Sequence, residues 1–173
     1  SQLSSVPACQ RMVKKSIVER LRRAYRVDTL PEQGATVSVD VALLDDHATL
    51  TIDASGPGLH KRGYRPVSGP APLRETLCAA LVQLSFWRPE RPLIDPFCGT
   101  GTIAIEAAMI GRNMAPGLHR QFAAESWPMF DPQGTLWHQA REEARDRMGP
   151  PLPLRIRAMD IHEAALGMAR VNA

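Results

Sequence analysis

The chain has 173 residues, 44% apolar and 23% charged, with a net charge of +3. This balance supports a packed core and excludes a disordered or fibrous chain. Its longest apolar run, residues 103–110, is interrupted by Glu106 and is far shorter than the roughly 18 residues that span a bilayer.

No hydrophobic signal core precedes Arg11, Lys14 and Lys15, so a cytoplasmic protein with no membrane partner is expected. Cys9, Cys78 and Cys98 form no CxxC pair, and the five histidines show neither i, i+4 pairing nor HExxH. Reduced thiols and no metal are expected.

The excess positive charge lies in residues 1–65, with 10 Lys and Arg against 7 Asp and Glu, while residues 66–173 hold 11 of each. Residues 11–26 read as an amphipathic helix with Val13, Ile17, Leu21 and Ala24 or Tyr25 on a buried stripe, and Pro7 suits a first turn. Lys14, Lys15, Arg22 and Arg26 then face outward, a pattern that fits a polyanion such as nucleic acid and equally fits a solvated face.

Val37, Val39, Val41 and Leu43 alternate with polar or small residues, and residues 48–54 repeat the pattern with Leu50 and Ile52. Two strands are expected, joined through Asp45, Asp46 and His47 as an antiparallel hairpin. In His60-Lys61-Arg62-Gly63-Tyr64-Arg65, cations stand beside an aromatic, which suits phosphate contact with base stacking, or an ordinary charged edge strand.

Residues 66–72 contain three prolines, a glycine and a serine and mark the expected boundary between two domains. Beyond it, Leu73, Leu77, Ala80 or Leu81 and Leu84 form a helical stripe with Pro72 in the first turn. A strand at 92–95, a glycine turn at 97–101, helices at 102–110 and 136–148, a strand at 154–160 and a helix from 163 follow. Strands alternating with helices predict an α/β fold with a parallel, doubly wound sheet.

Leu93-Ile94-Asp95-Pro96-Phe97-Cys98-Gly99-Thr100-Gly101-Thr102 leads a strand through a Gly-x-Gly turn into a helix. Open α/β sheets bind their ligands at that end of a strand. A P-loop needs GxxxxGK[ST], and no lysine follows Lys61, which disfavours a nucleoside triphosphate. A dinucleotide fits the glycines better, since Gly99, Gly101 and Ala104 satisfy GxGxx[G/A]. The Asp95 carboxylate, however, repels a pyrophosphate and attracts the sulfonium and ammonium of S-adenosyl-L-methionine.

The acid expected to take the ribose hydroxyls is Asp160, after the next strand, rather than Glu125, the only acid in residues 113–127. Residues 112–153 then read as an insertion carrying an extra helix. Cys98 reads as a packed residue of the turn, Glu106 as bonded within the fold or set on the helix dipole, and Trp127, Phe130 and Trp137 as packing the loop.

Asp95-Pro96-Phe97-Cys98-Gly99-Thr100-Gly101, followed by Ile105-Glu106, resembles the signature of the bacterial 23S rRNA guanine-N2 methyltransferases of the K/L type. These S-adenosylmethionine-dependent RNA methyltransferases join a THUMP RNA-binding domain to a Rossmann-like catalytic domain. His60 to Arg65, Ala71-Pro72-Leu73-Arg74-Glu75-Thr76-Leu77, Ala115-Pro116-Gly117-Leu118 and the stretch 160–173 resemble segments of that family in the same order.

The resemblance implies that residues 1–65 are the C-terminal part of an α+β THUMP-like region, 66–72 a linker, and 73–173 the cofactor-binding half of a Rossmann-like methyltransferase domain. It implies that Asp95, Pro96, Phe97, Cys98, Gly99, Thr100, Gly101, Thr102 and Asp160 hold S-adenosyl-L-methionine. Lys14, Lys15, Lys61, Arg62, Tyr64 and Arg65 are the expected RNA contacts.

Relatives place an Asn/Asp-Pro-Pro-aromatic motif after the fourth strand to receive the exocyclic amine, whereas Gly149-Pro150-Pro151-Leu152 lacks the amide or carboxylate. The chain is therefore expected to be a truncated piece, inactive alone, of an enzyme that methylates guanine N2 in 23S rRNA. The alternatives are a tRNA or DNA-adenine methyltransferase and a noncatalytic RNA-binding module.

Overall fold

The alternating residues of the N-terminal part form the expected hairpin in the computed structural model, which describes residues 5–69, 72–151, 153 and 155–173. Strand β1 (Ser38–Leu44) pairs antiparallel with β2 (His47–Asp53), from Ser38 opposite Asp53 to Leu44 opposite His47. Asp45 and Asp46 both adopt positive φ, 49° and 59°. A two-residue turn of that shape matches the twist of its strands, and Asp tolerates the left-handed region.

Helix α1 (Val6–Tyr25) has Pro7 in its first turn and ends where Arg26 turns left-handed at φ 54°. It begins five residues before the expected start, and none of its residues is fully buried. Val13 and Ile17 are half-buried, but Leu21 and Tyr25 of the predicted stripe are exposed. Val13, Ile17 and Val18 face Val37, Val39 and Val41 across a cavity of about 700 Å3. A two-stranded sheet offers too little surface to close over a 20-residue helix.

The described residues divide into two compact units, the first ending at Ala54 and the second starting at Ser55. The division precedes the proline-rich segment read as a linker, whose residues 70 and 71 lie outside the described residues. Arg120 explains the difference, because its buried guanidinium donates to the carbonyl oxygens of Ser55, Pro57, Gly58 and Lys61. That arginine fastens residues 55–61 to the second unit.

In this second unit β3 (Leu93–Asp95) pairs parallel with β4 (Ile156–Ala158), Leu93 opposite Ile156 and Asp95 opposite Ala158. Parallel neighbours need a crossover, here α3 (Thr102–Gly111), a 3₁₀ turn (Ala123–Ser126) and α4 (Leu136–Asp146). Helix α5 (Glu163–Asn172) follows β4. The strand expected from residue 154 begins at Ile156, and residue 154 lies outside the described residues. Beyond the ladder, Met159 N donates to Asp95 O and Cys98 N to Met159 O, both at 2.8 Å, so the pairing continues into the turn.

Helix α2 (Glu75–Leu84) packs on α3. Its buried residues are Glu75, Cys78, Ala79 and Val82, while Leu73, Leu77, Leu81 and Leu84 are exposed, so the predicted leucine stripe has the right period and the wrong phase. Small residues allow the two helices to approach; Cys78 and Ala107 are both fully buried. Arg74 is the N-cap, which leaves Pro72 outside the first turn.

The inserted helix α4 starts where Asp131 accepts the N–H of Thr135 at 2.9 Å and that of Trp137 at 3.5 Å. Trp137 stacks on Phe122 with centroids 6.0 Å apart, and the buried Trp127 meets Phe130 at 5.7 Å, so these rings pack the loop as expected. Among the described residues, no helix is long and apolar enough to cross a membrane.

Candidate functional site

The link from β3 to α3 is built by two glycines with different tasks. Gly99 has φ 53° and Gly101 φ 81°. A Cβ on Gly101 would lie 3.1 Å from that of Ala169, so the missing side chain lets α5 approach the turn. A Cβ on Gly99 would meet no atom within 4 Å, so there the bare backbone borders open space.

Asp95 ends β3 at 7% exposure. Its Oδ1 accepts the N–H of Phe97 at 3.2 Å, while Oδ2 is buried without a partner. A carboxylate oxygen in that state is costly unless a donor reaches it.

Asp160, two residues past β4, accepts the N–H of Gly99 on Oδ2 and that of His162 on Oδ1, both at 2.9 Å. The N–H groups of His162 and then Gly99 hold its carboxyl below the usual carboxylate value. Each oxygen retains a second lone pair.

These groups surround a cavity of about 320 Å3, lined by Asp95, Phe97, Cys98, Gly99, Thr100, Thr102 and Asp160 among others. Of the nine residues expected at a cofactor, Pro96 and Gly101 do not line it. Gly69, Pro72, Leu73 and Met168 also line it, although the sequence reading placed none of them at the cofactor. Burial pushes the Cys98 thiol above its ordinary value, with the charges of Asp95 and Asp160 adding to the effect, which fits a packed residue and no nucleophile.

Three side chains of the basic segment 60–65 are engaged within the fold. Arg62 Nε meets Glu106 Oε1 at 3.3 Å and Tyr64 OH donates to the same oxygen at 3.0 Å. Arg65 pairs with Glu75 at 2.9 Å. The Arg62 and Arg65 side chains are 12% exposed, so Arg62, Tyr64 and Arg65 are engaged by buried carboxylates of α3 and α2. Lys61 is exposed, as are Lys14 and Lys15 on α1, where Lys15 lies 3.8 Å from Glu19. Glu125 is also engaged inside the fold, by Phe122 N and Arg141.

Residues 62–173 match the UPF0020 family, described as an RMKL-like methyltransferase domain. YpsC of Bacillus subtilis (strain 168), provisionally named an RNA methyltransferase, is 51% identical over 175 residues, covering 100% of this chain and 45% of its own length. The crystal structure of a protein from Listeria monocytogenes str. 4b F2365, described as a "predicted N6-adenine-specific DNA methylase", matches at TM-score 0.93 and 50% identity, over 100% of this chain and 45% of that one. SMU.472, provisionally described as a methyltransferase and crystallised with S-adenosylhomocysteine, matches at TM-score 0.91 and 40% identity, again over 100% and 45%. The chain thus spans less than half the length of each of these relatives. The parallel strands, the glycine turn and these likenesses make the second unit part of an α/β, Rossmann-like methyltransferase fold, and the chain belongs to the RMKL-like methyltransferase-domain family.

Proposed function

We propose that this chain carries the S-adenosyl-L-methionine-binding part of an RNA methyltransferase whose acceptor is the exocyclic N2 of a guanine in 23S rRNA. The observation that carries the reading is Asp95, which lines the 320 Å3 cavity and whose Oδ2 is a buried carboxylate oxygen without a partner. The cationic cofactor supplies the donor such an oxygen lacks, whereas a pyrophosphate would bring like charge. Asp160 keeps lone pairs for ribose hydroxyls while fastening the turn, and Gly99 lets the backbone come close. When bound, S-adenosyl-L-methionine supplies an electrophilic methyl group for direct displacement by the acceptor amine.

Residues 1–65 are proposed as the rear part of a THUMP-like RNA-binding region, with exposed Lys14, Lys15 and Lys61 as phosphate contacts. The Asn/Asp-Pro-Pro-aromatic motif does not occur in these 173 residues, so the chain alone is proposed to bind the cofactor without turnover. A second reading, methylation of DNA adenine, is favoured by the description of the Listeria relative.

The test supplies the whole protein with methyl-labelled cofactor and, in parallel, 23S rRNA, tRNA and duplex DNA, followed by digestion to nucleosides. Label in N2-methylguanosine from 23S rRNA is expected. Label only in tRNA or in DNA N6-methyladenine replaces the proposal with the corresponding alternative.

A further inference from the structure

Two residues that line the cavity are tied together by a single nitrogen. Arg65 Nη1 donates to the carbonyl oxygen of Leu73 at 3.1 Å and to Thr102 Oγ1 at 3.2 Å. Leu73 and Thr102 both line the cavity, and Arg65 does not. The other end of the fork, Nη2, meets Glu75 Oε1 at 2.9 Å, with the two side chains 12% and 4% exposed. Thr102 in turn places its hydroxyl 3.3 Å from Thr100 Oγ1 in the glycine turn.

A second fastening runs in parallel. Asn172 Oδ1 accepts the N–H of Val67 at 3.2 Å, and its Nδ2 donates to Val67 O at 2.9 Å and to Thr100 O at 3.2 Å. The segment that contributes Gly69, Pro72 and Leu73 to the cavity is thus joined near each end to Thr100 or Thr102.

We infer that Arg65 is a positioning residue for the cofactor cavity, fixing the separation between two of its lining residues, Leu73 and Thr102 at the start of α3. The inference rests on the reading of this cavity as an S-adenosylmethionine site and deepens it. Arginine suits the task because its planar fork holds several acceptors in fixed directions, while a lysine ammonium is a point charge on a flexible stem. Glu75 locks the guanidinium through a charge-assisted bond, so the two weaker bonds from Nη1 act on a rigid strut. Arg62 provides the comparison: it is equally buried and also paired with a carboxylate, but its partners, Glu106 and Leu59 O, do not line the cavity.

The test is calorimetric titration of S-adenosylhomocysteine into the unmodified protein, Arg65→Met and Arg62→Met, each accompanied by a thermal melt. Both variants are expected to melt at lower temperature. Only Arg65→Met is expected to bind more weakly, by about tenfold or more, since misplaced site walls cost affinity directly, while Arg62→Met stays within about twofold. Unchanged affinity in Arg65→Met, or an equal loss in both variants, overturns the inference alone. Absence of binding by the unmodified protein overturns the cofactor reading and the inference with it. Should Arg65→Met fail to fold, Arg65→Lys is read in the same way: it keeps the charge opposite Glu75 but cannot span Leu73 and Thr102, and retained affinity in it overturns the inference.

Discussion

Gly99 donates its backbone N–H to Asp160 Oδ2 at 2.9 Å, so the acid that follows β4 fixes the turn that follows β3. Asp160→Ala is expected to weaken S-adenosylhomocysteine binding about tenfold or more, since it removes a charged acceptor from the turn. The carboxyl is held low by the N–H groups of His162 and Gly99, so its charged form is favoured in the folded protein. Its stabilisation is therefore present above the ordinary carboxylate value and lost as pH falls through the lower folded value. Thermal melts of the unmodified protein and Asp160→Asn should differ by a steady amount from neutral pH down to about 5, and the gap should close progressively below that.

The two glycines of the turn separate stability from binding. Gly101→Ala places a Cβ at φ 81° and 3.1 Å from Ala169 Cβ, so it combines left-handed strain with a clash against α5. A loss of about 2 kcal/mol or more in denaturant unfolding is expected. Gly99→Ala, at φ 53° with no atom within 4 Å, costs less stability, on the order of 1 kcal/mol. It should lose more cofactor affinity for each unit of stability lost, and binding isotherms beside unfolding curves check that order.

Glu106 gathers Arg62 and Tyr64 at 2% exposure. Arg62→Ala leaves that carboxylate without its cation and is expected to cost about 3 kcal/mol, with little change in RNA affinity. Lys61→Ala should do the opposite, sparing stability and reducing the salt slope of RNA binding by about 1. Filter binding over a range of salt distinguishes the two. Burial, aided by the charges of Glu106 and Glu75, raises the Cys78 thiol from 9.0 to about 11. Burial, followed by the charge of Glu106, raises the Tyr64 hydroxyl. Both groups favour the folded state below their unfolded values, and that stabilisation is lost as pH rises through the folded ones. Melting temperature should fall from about pH 9 upward, and Tyr64→Phe with Cys78→Ala should flatten the decline.

Arg120 gathers four carbonyl oxygens of residues 55–61 while 7% exposed. Arg120→Met removes this shared donor from all four, leaving Gly58 O the N–H of Lys61, and is expected to cost about 3 kcal/mol. Trypsin is then expected to cut after Lys61 faster than it does in the unmodified protein. Equal cleavage rates at that bond would contradict the assignment.

The hairpin and the strand, glycine turn and helix around Asp95 were legible because period-two alternation and the Gly-x-Gly signal are local. The partners of Arg62 and Arg65 were not, since nothing local marks whether a cation meets solvent or a carboxylate on a distant helix such as Glu106 or Glu75. The phase of α2 escaped for a related reason: contact with α3 selects Cys78 and Ala79 over larger leucines that the hydrophobic pattern favours. Arg120 left no signal at all, because its partners are backbone carbonyls. Asp160 could be placed from its position after a strand, but its bond to Gly99 depends on register between β3 and β4.

An NMR titration of backbone amides with S-adenosylhomocysteine asks whether the turn between β3 and α3 binds an S-adenosyl cofactor. Saturable shifts centred on Phe97, Gly99, Thr100 and Asp160, with no matching response to NAD, are predicted. The absence of shifts there with S-adenosylhomocysteine, or saturable shifts of the same amides with NAD alone, would show that this turn does not bind an S-adenosyl cofactor.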